Sequence, residues 1–126
     1  MKSSSLVTSK RACHLLIGAL LAIIAFPAIA LELIMVEQKI CPYCEHFHRD
    51  VDYNNTVIGK QLPLRPVQLS DPWPEDLSAV QYDLLTPTFI LVEDGKELGR
   101  LRGYPGKDEF WFLLKMLLDE NNILLE

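Results

Sequence analysis

Residues 31–50 read LELIMVEQKICPYCEHFHRD, and within them a strand gives way to a helix. Leu31, Leu33 and Met35 lie on one face of the first seven residues, Ile34 and Val36 on the other. Apolar residues on both faces mark a strand buried inside a sheet. From Cys41 the period changes. On a helical wheel Cys44, Phe47, Val51 and Ile58 gather on one side, while Glu45, Arg49 and Asp52 lie on another. A helix is therefore predicted over 41–59, with Gly59 ending it. Pro42 suits its first turn, where the missing N–H leaves no carbonyl unpaired.

The junction has chemical consequences for Cys41 and Cys44. The first N–H groups of a helix lack internal partners and carry partial positive charge. A thiolate at Cys41 is stabilised there, and cysteines so placed titrate at roughly 3.5–7.5 instead of about 8.5. Cys44 lies one turn on, about 60° around the wheel, within the apolar stripe. Cys41 is thus expected to be exposed and activated, and Cys44 sheltered but within reach. Two-step exchange needs that asymmetry: Cys41 attacks a disulfide, and Cys44 resolves the mixed disulfide. A structural staple stabilises mainly by closing a long loop, and this pair closes only two residues. C-x-x-C at a β-to-α junction is a specific redox signal. The rival reading is a metal site, Cys41, Cys44, His46 and His48 as C-x2-C-x-H-x-H. On a helix His46 falls about 160° from Cys44, and His48 rises nearly two turns above Cys41, so four ligands do not converge. Both histidines are assigned to a solvated surface, with His48 close enough in sequence to tune the thiolate.

Further along, residues 64–69 (LRPVQL) read as a second strand, and Pro66 makes it an edge. Residues 70–76 form a loop rich in turn formers, followed by a short helix over about 75–84 with Leu77, Val80 and Leu84 inward. Thr86-Pro87 breaks the chain. Residues 88–93 and 96–102 flank Asp94-Gly95, a strong hairpin signal. Residues 107–120 are a last helix with Phe110, Leu113, Leu114, Leu117 and Leu118 as its apolar stripe. The order β-α-β-α-β-β-α predicts an α/β fold: a four-stranded mixed sheet flanked by helices, its first two strands parallel through a right-handed crossover.

Upstream of this domain the sequence reads as an address. Lys2, Lys10 and Arg11 form a positive region, Leu15–Ala30 carries no charge, and Ala28 and Ala30 stand at small-x-small spacing. Residues 1–30 are therefore expected to be a secretory signal peptide, with Cys13 leaving inside it. Sixteen uncharged residues fall short of the roughly 20 that span a bilayer. Three of the 12 lysines and arginines leave with the peptide and none of the 17 acids does, so residues 31–126 carry a formal charge of −8. That balance disfavours nucleic acid and anionic lipid as partners. Export places Cys41 and Cys44 where disulfides persist.

Over nearly all of residues 31–120 the chain resembles the thioredoxin superfamily. The resemblance is carried by Cys41-Pro42-Tyr43-Cys44, by Thr86-Pro87 opening a strand, and by the hairpin-then-helix segment TFILVEDGKELGRLRGYPG. It implies a thioredoxin-like fold, a cis Thr86-Pro87 bond facing the cysteine pair, and Thr86 backbone groups offered to a substrate strand. LELIMVEQ leading to the cysteine pair, and GYPG before an aromatic-rich helix, make it most similar to small periplasmic thioredoxin-like proteins of bacterial sulfur-oxidation (Sox) clusters. That group implies a partner whose sulfur-carrying cysteine is kept reduced. Two departures stand out. Ile40 replaces the tryptophan before the first cysteine, and Met35 replaces the buried acid of the preceding strand. Lys39, Thr86-Pro87 and Asp108 echo a glutathione site without the Gly-Gly pair expected before that acid, and no glutathione role is assigned.

The sequence thus predicts a periplasmic, monomeric thiol–disulfide oxidoreductase, a reductase of protein disulfides or of an oxidised partner cysteine. Cys41 and Cys44 are its catalytic residues, Pro42 and Tyr43 tune them, and Thr86 and Pro87 bind substrate. It implies no diffusible cofactor or metal, and a membrane electron donor as its reductant. The alternatives are a disulfide oxidant or isomerase, and a non-catalytic metal-binding or regulatory module on the same fold. Mass spectrometry of exported protein is expected to find Leu31 at the N-terminus; residues 1–30 still attached would overturn the cleavage assignment.

Overall fold

The computed structural model describes residues 30–126, so the expected signal peptide lies outside the described residues. Four strands form one sheet: β1 (Leu31–Glu37), β2 (Leu64–Gln68), β3 (Thr88–Glu93) and β4 (Lys96–Arg102), in the order β2-β1-β3-β4. β1 pairs parallel with β2 and antiparallel with β3, which pairs antiparallel with β4. β2 is an edge, as Pro66 requires. Asp94 and Gly95 both take positive φ, 49° and 76°, and make the tight turn between β3 and β4.

The helices are α1 (Pro42–Asp50), α2 (Val57–Gln61) and α3 (Lys107–Glu120). They share one face of the sheet, where Leu33, Met35, Phe89 and Leu91 meet Cys44, Phe47, Phe110 and Leu114 in a single apolar cluster. The opposite face, Ile34, Val36, Val67, Ile90 and Val92, is covered by Leu77, Val80 and Trp73. β1 and β3 are therefore buried on both faces, which is why their sequences are almost continuously apolar.

The structure corrects three sequence expectations. The helix expected over 41–59 is two helices. α1 stops at Asp50, Val51 turns extended (φ −122°), a 3-10 turn occupies Tyr53–Asn55, and Thr56 caps α2. Asn54-Asn55-Thr56 carries the cause: the Thr56 hydroxyl accepts the Gly59 N–H at 2.9 Å and donates to the Tyr53 carbonyl, restarting the chain as a new helix. The helix expected over 75–84 is only a 3-10 turn, Glu75–Leu77. Leu77 and Val80 are buried as expected, but Leu84 is 76 % exposed, and the Asp83 carboxylate accepts the Leu85 N–H, competing with helical pairing. In α3 the stripe holds except at Leu113, which is half-exposed and borders the concavity described below.

Gly59 sits inside α2 instead of ending a helix, because a Cβ there would lie 2.0 Å from the Tyr53 carbonyl oxygen. Alanine in a helix is normally favoured over glycine by about 1 kcal/mol. The clash is with backbone and cannot relax cheaply, so Gly59→Ala is expected to destabilise by about 1–3 kcal/mol in denaturant titrations. A stability gain would mean that the Tyr53 turn does not pack against α2.

Candidate active site

β1 delivers the chain to one end of the central strands, residues 38–40 bend, and Cys41 begins α1 as its N-cap with extended backbone (φ −144°, ψ 91°). Pro42 is the first helical residue, as its fixed φ favours. Cys41 and Cys44 are joined by a disulfide with a Cα–Cα distance of 5.2 Å. The Cys41 sulfur also accepts the Cys44 backbone N–H at 3.1 Å, the position a capping oxygen would take.

This geometry corrects one expectation and retains another. Cys41 is only 4 % exposed and Cys44 3 %, so exposure does not distinguish the two sulfurs in the disulfide form. Both belong to the cluster that holds Met35, Phe47 and Phe89. The asymmetry lies in hydrogen bonding: Cys41 sulfur receives a helix N–H, whereas Cys44 is placed among apolar side chains. The large apolar side chains exposed beside the pair are Ile40 (89 %) and Tyr43 (59 %).

The histidines turn to other partners. His46 is exposed, with its ring edge-on to Tyr43 at 5.9 Å. His48 Nε2 meets Glu37 Oε2 at 2.8 Å, and the other Glu37 oxygen accepts from Gln68 Nε2. Among the described residues no group of three or more His, Cys, Asp or Glu is arranged to hold a metal ion.

Thr86-Pro87 is cis, and Pro87 is buried where it enters β3. Thr86 and Tyr43 line one open concavity of about 510 Å³ together with Leu85, Arg102, Gly103, Tyr104, Pro105 and Leu113. The fold thus brings Tyr43, one of the two residues between the cysteines, to the same hollow as the residue before the cis-proline. Several ties hold this hollow. Gln38 Nε2 donates to the Thr86 hydroxyl at 2.9 Å, Gly103 N–H to the Pro87 carbonyl at 2.7 Å, and the Tyr104 hydroxyl to Asp50 at 3.3 Å. Burial, and then the Asp50 charge, raise the Tyr104 phenol above its ordinary value. Among the described residues the Thr86 backbone N–H and C=O have no internal hydrogen-bond partner, so both can pair with an added strand. The sequence reading missed Gln38, Tyr104 and Asp83 as supports of this hollow. Only Asp83, two residues before an N–H it can cap, carried a local signal.

A model of the thioredoxin-like domain matches residues 32–118, and the chain belongs to that family. It is similar to the crystal structure of the periplasmic thioredoxin SoxS from Paracoccus pantotrophus in its reduced form. The two are 37 % identical with a TM-score of 0.68, over 73 % of this chain and 99 % of that one. The fold is shared more distantly with a poplar thioredoxin h (21 % identity, TM-score 0.53, 71 % of this chain and 77 % of that one). A Thermus thermophilus thioredoxin is comparable (19 %, 0.51, 69 % and 72 %). Comparison with curated protein sequences gives no match. The fold and the Cys41–Cys44 disulfide make the chain a thioredoxin-like thiol–disulfide oxidoreductase. Among the described residues no helix is long and apolar enough to cross a membrane.

The hydrogen bond at Cys41 gives a direct test. In reduced Cys44→Ser protein, the rate of Cys41 alkylation against pH is expected to show a midpoint at least about one unit below a free thiol's roughly 8.5. A midpoint at or above that value would mean that the helix terminus does not act on Cys41.

Proposed function

We propose that the chain is a periplasmic reductase of protein disulfides, with Cys41 as nucleophile and Cys44 as resolving thiol. The observation that carries this reading is the Cys41 sulfur at the N-cap of α1, accepting the Cys44 N–H. A group that accepts this bond as a neutral sulfur accepts it more strongly as a thiolate. The Cys41 thiolate attacks one sulfur of a substrate disulfide, and the other leaves as a thiolate and takes up a proton. Cys44 then loses its proton and attacks the Cys41 sulfur, releasing the second substrate thiol. Two electrons have passed to the substrate, and the enzyme is left with the Cys41–Cys44 bond. Pro42 and Tyr43 tune the pair, and Thr86 and Pro87 present the edge on which the substrate strand pairs.

Two electrons must return after each turnover. Outside the cytosol the source is a membrane-bound dithiol donor. Export follows from residues 1–30 acting as a cleaved signal peptide, and the likeness to a periplasmic thioredoxin supports that compartment. The same likeness, with the sequence resemblance to Sox-cluster proteins, supports a dedicated partner: a periplasmic sulfur-carrier protein whose cysteine is kept reduced. The protein acts as a monomer, without cofactor or metal.

Cys44→Ser, expressed in its native periplasm, is expected to accumulate a covalent complex through Cys41 that reducing agent releases. Cys41→Ser is expected to accumulate none. One dominant partner supports the dedicated role, and many unrelated partners would replace it with a general reductase or isomerase. No complex, with stoichiometric zinc or copper on the wild-type protein, would overturn the enzyme reading in favour of a metal-binding module.

A further inference from the structure

The segment between Val80 and Pro87 has no regular secondary structure, yet it presents Thr86 to the active-site hollow. Asp83 is its centre. One carboxylate oxygen accepts the Leu85 N–H at 3.1 Å, and the other accepts Arg102 Nε and Arg100 Nη1 (3.3 Å). Arg100 is mostly buried, is gripped by the Glu97 carboxylate, and donates a further bond to the Gln81 carbonyl at 2.8 Å. Both arginines belong to β4, so the segment is tied to the sheet at Gln81 and at Asp83. The Leu85 carbonyl is held in turn by the Thr88 hydroxyl at 2.7 Å. Both backbone groups of the residue before Thr86 are therefore fixed by side chains, while those of Thr86 stay free.

We propose that Asp83 is a positioning residue, which holds the Leu85 peptide so that Thr86 presents its backbone to a substrate strand at a set angle. The inference rests on the reading of Thr86 as substrate-binding given above. The cluster also supports stability, since the paired Arg100 and Asp83 side chains are 12 % and 16 % exposed, but a purely structural role would not confine the loss to protein substrates. Its geometry is specific, with two β4 guanidinium groups and the Leu85 N–H converging on one carboxylate. The Leu85 N–H, followed by Arg102, holds the Asp83 carboxyl below its usual range, consistent with a carboxylate that stays charged in this network. Removing it orphans the Leu85 N–H and loosens both arginines. The sulfur chemistry at Cys41 is untouched.

The test compares steady-state reduction of a protein disulfide, insulin, with dithiothreitol supplying the electrons, by wild type, Asp83→Ala and Asp83→Asn. Two further readouts are the reduction of a small aromatic disulfide and the Cys41 alkylation rate. Asp83→Ala is expected to raise KM for insulin about tenfold, the scale of one lost hydrogen bond, with kcat within about twofold. Its rates with the small disulfide and the alkylating agent should match wild type. Asp83→Asn keeps an acceptor for the Leu85 N–H and is expected to recover most of the KM. An unchanged KM in Asp83→Ala, or equal losses on insulin and the small disulfide, would overturn the inference. So would an Asn variant no better than Ala. Wild-type protein that reduces no protein disulfide would instead overturn the proposed function and this inference with it, and is distinguished by the wild-type assay alone.

Discussion

The packing of Phe47 is the constraint on which the site depends. It lies on α1, one turn beyond Cys44, and is fully buried. Its ring meets Phe89 of β3 at 4.8 Å, Phe110 of α3 at 5.0 Å and Tyr104 of the β4–α3 connection at 5.5 Å. Burial of one such side chain contributes about 1.5–3 kcal/mol by transfer, and well-placed aromatic pairs add roughly 0.5–1.5 kcal/mol each. Its larger effect is geometric. One ring locks the helix that carries the cysteines onto the strand that follows Pro87 and onto the turn that closes the hollow. The disulfide needs no separate scaffold, because it sits on the end of a helix whose next turn is already pinned.

The two faces of the sheet are used differently. Three helices cover the Phe47 face and make it the rigid side. On the other face a long irregular segment buries only a few side chains, Leu77, Val80 and Trp73 among them, and the Trp73 indole donates to the Leu77 carbonyl at 2.9 Å. Irregular backbone so close to a sheet must find its hydrogen bonds in side chains. Asp83, Thr88 and Arg100 supply them, and Gln38 holds the Thr86 hydroxyl. The edge that carries Thr86 is therefore a loop stiffened by polar side chains, opposed to a helix stiffened by aromatic ones.

What could be read beforehand follows the range of the interactions involved. β1, β3, the Asp94-Gly95 turn and α3 announce themselves through local period and turn chemistry, and all are found where the pattern puts them. The Cys41 cap was legible for the same reason, since a cysteine, a proline and a helical stripe lie within a few residues. The break after Asp50 was not, because Ile58 continues the α1 stripe on a wheel. Nothing local shows that Tyr53 must turn inward to stack on Trp111 and bond to the Leu62 carbonyl. The short helix over 75–84 failed likewise. Asp83 cannot be recognised as a tether without its arginines, which lie 17 and 19 residues away. The low exposure of Cys41 was hidden too, since it depends on the bond to Cys44 and on Met35 beneath.

Met35 bears on the direction of electron flow. It is fully buried in the cluster that holds both cysteines, so this face of β1 places no carboxylate directly beneath the pair. The acid on that face is Glu37, two residues on, and it is engaged by His48 and Gln68. Apolar surroundings disfavour a Cys44 thiolate, while the helix terminus favours a Cys41 thiolate. Only the second effect stabilises the reduced enzyme. Each pKa unit is worth about 1.4 kcal/mol, which for a two-electron couple is about 30 mV. Every unit by which Cys41 falls below the working pH therefore makes the pair a weaker reductant by about that amount. A strong reductase requires the helix terminus to act sparingly, lowering the Cys41 pKa to near ambient pH and not far beneath it. The geometry meets that requirement in part: one N–H reaches the sulfur, and Glu45, the acid in the first turn of α1, opposes the terminal field.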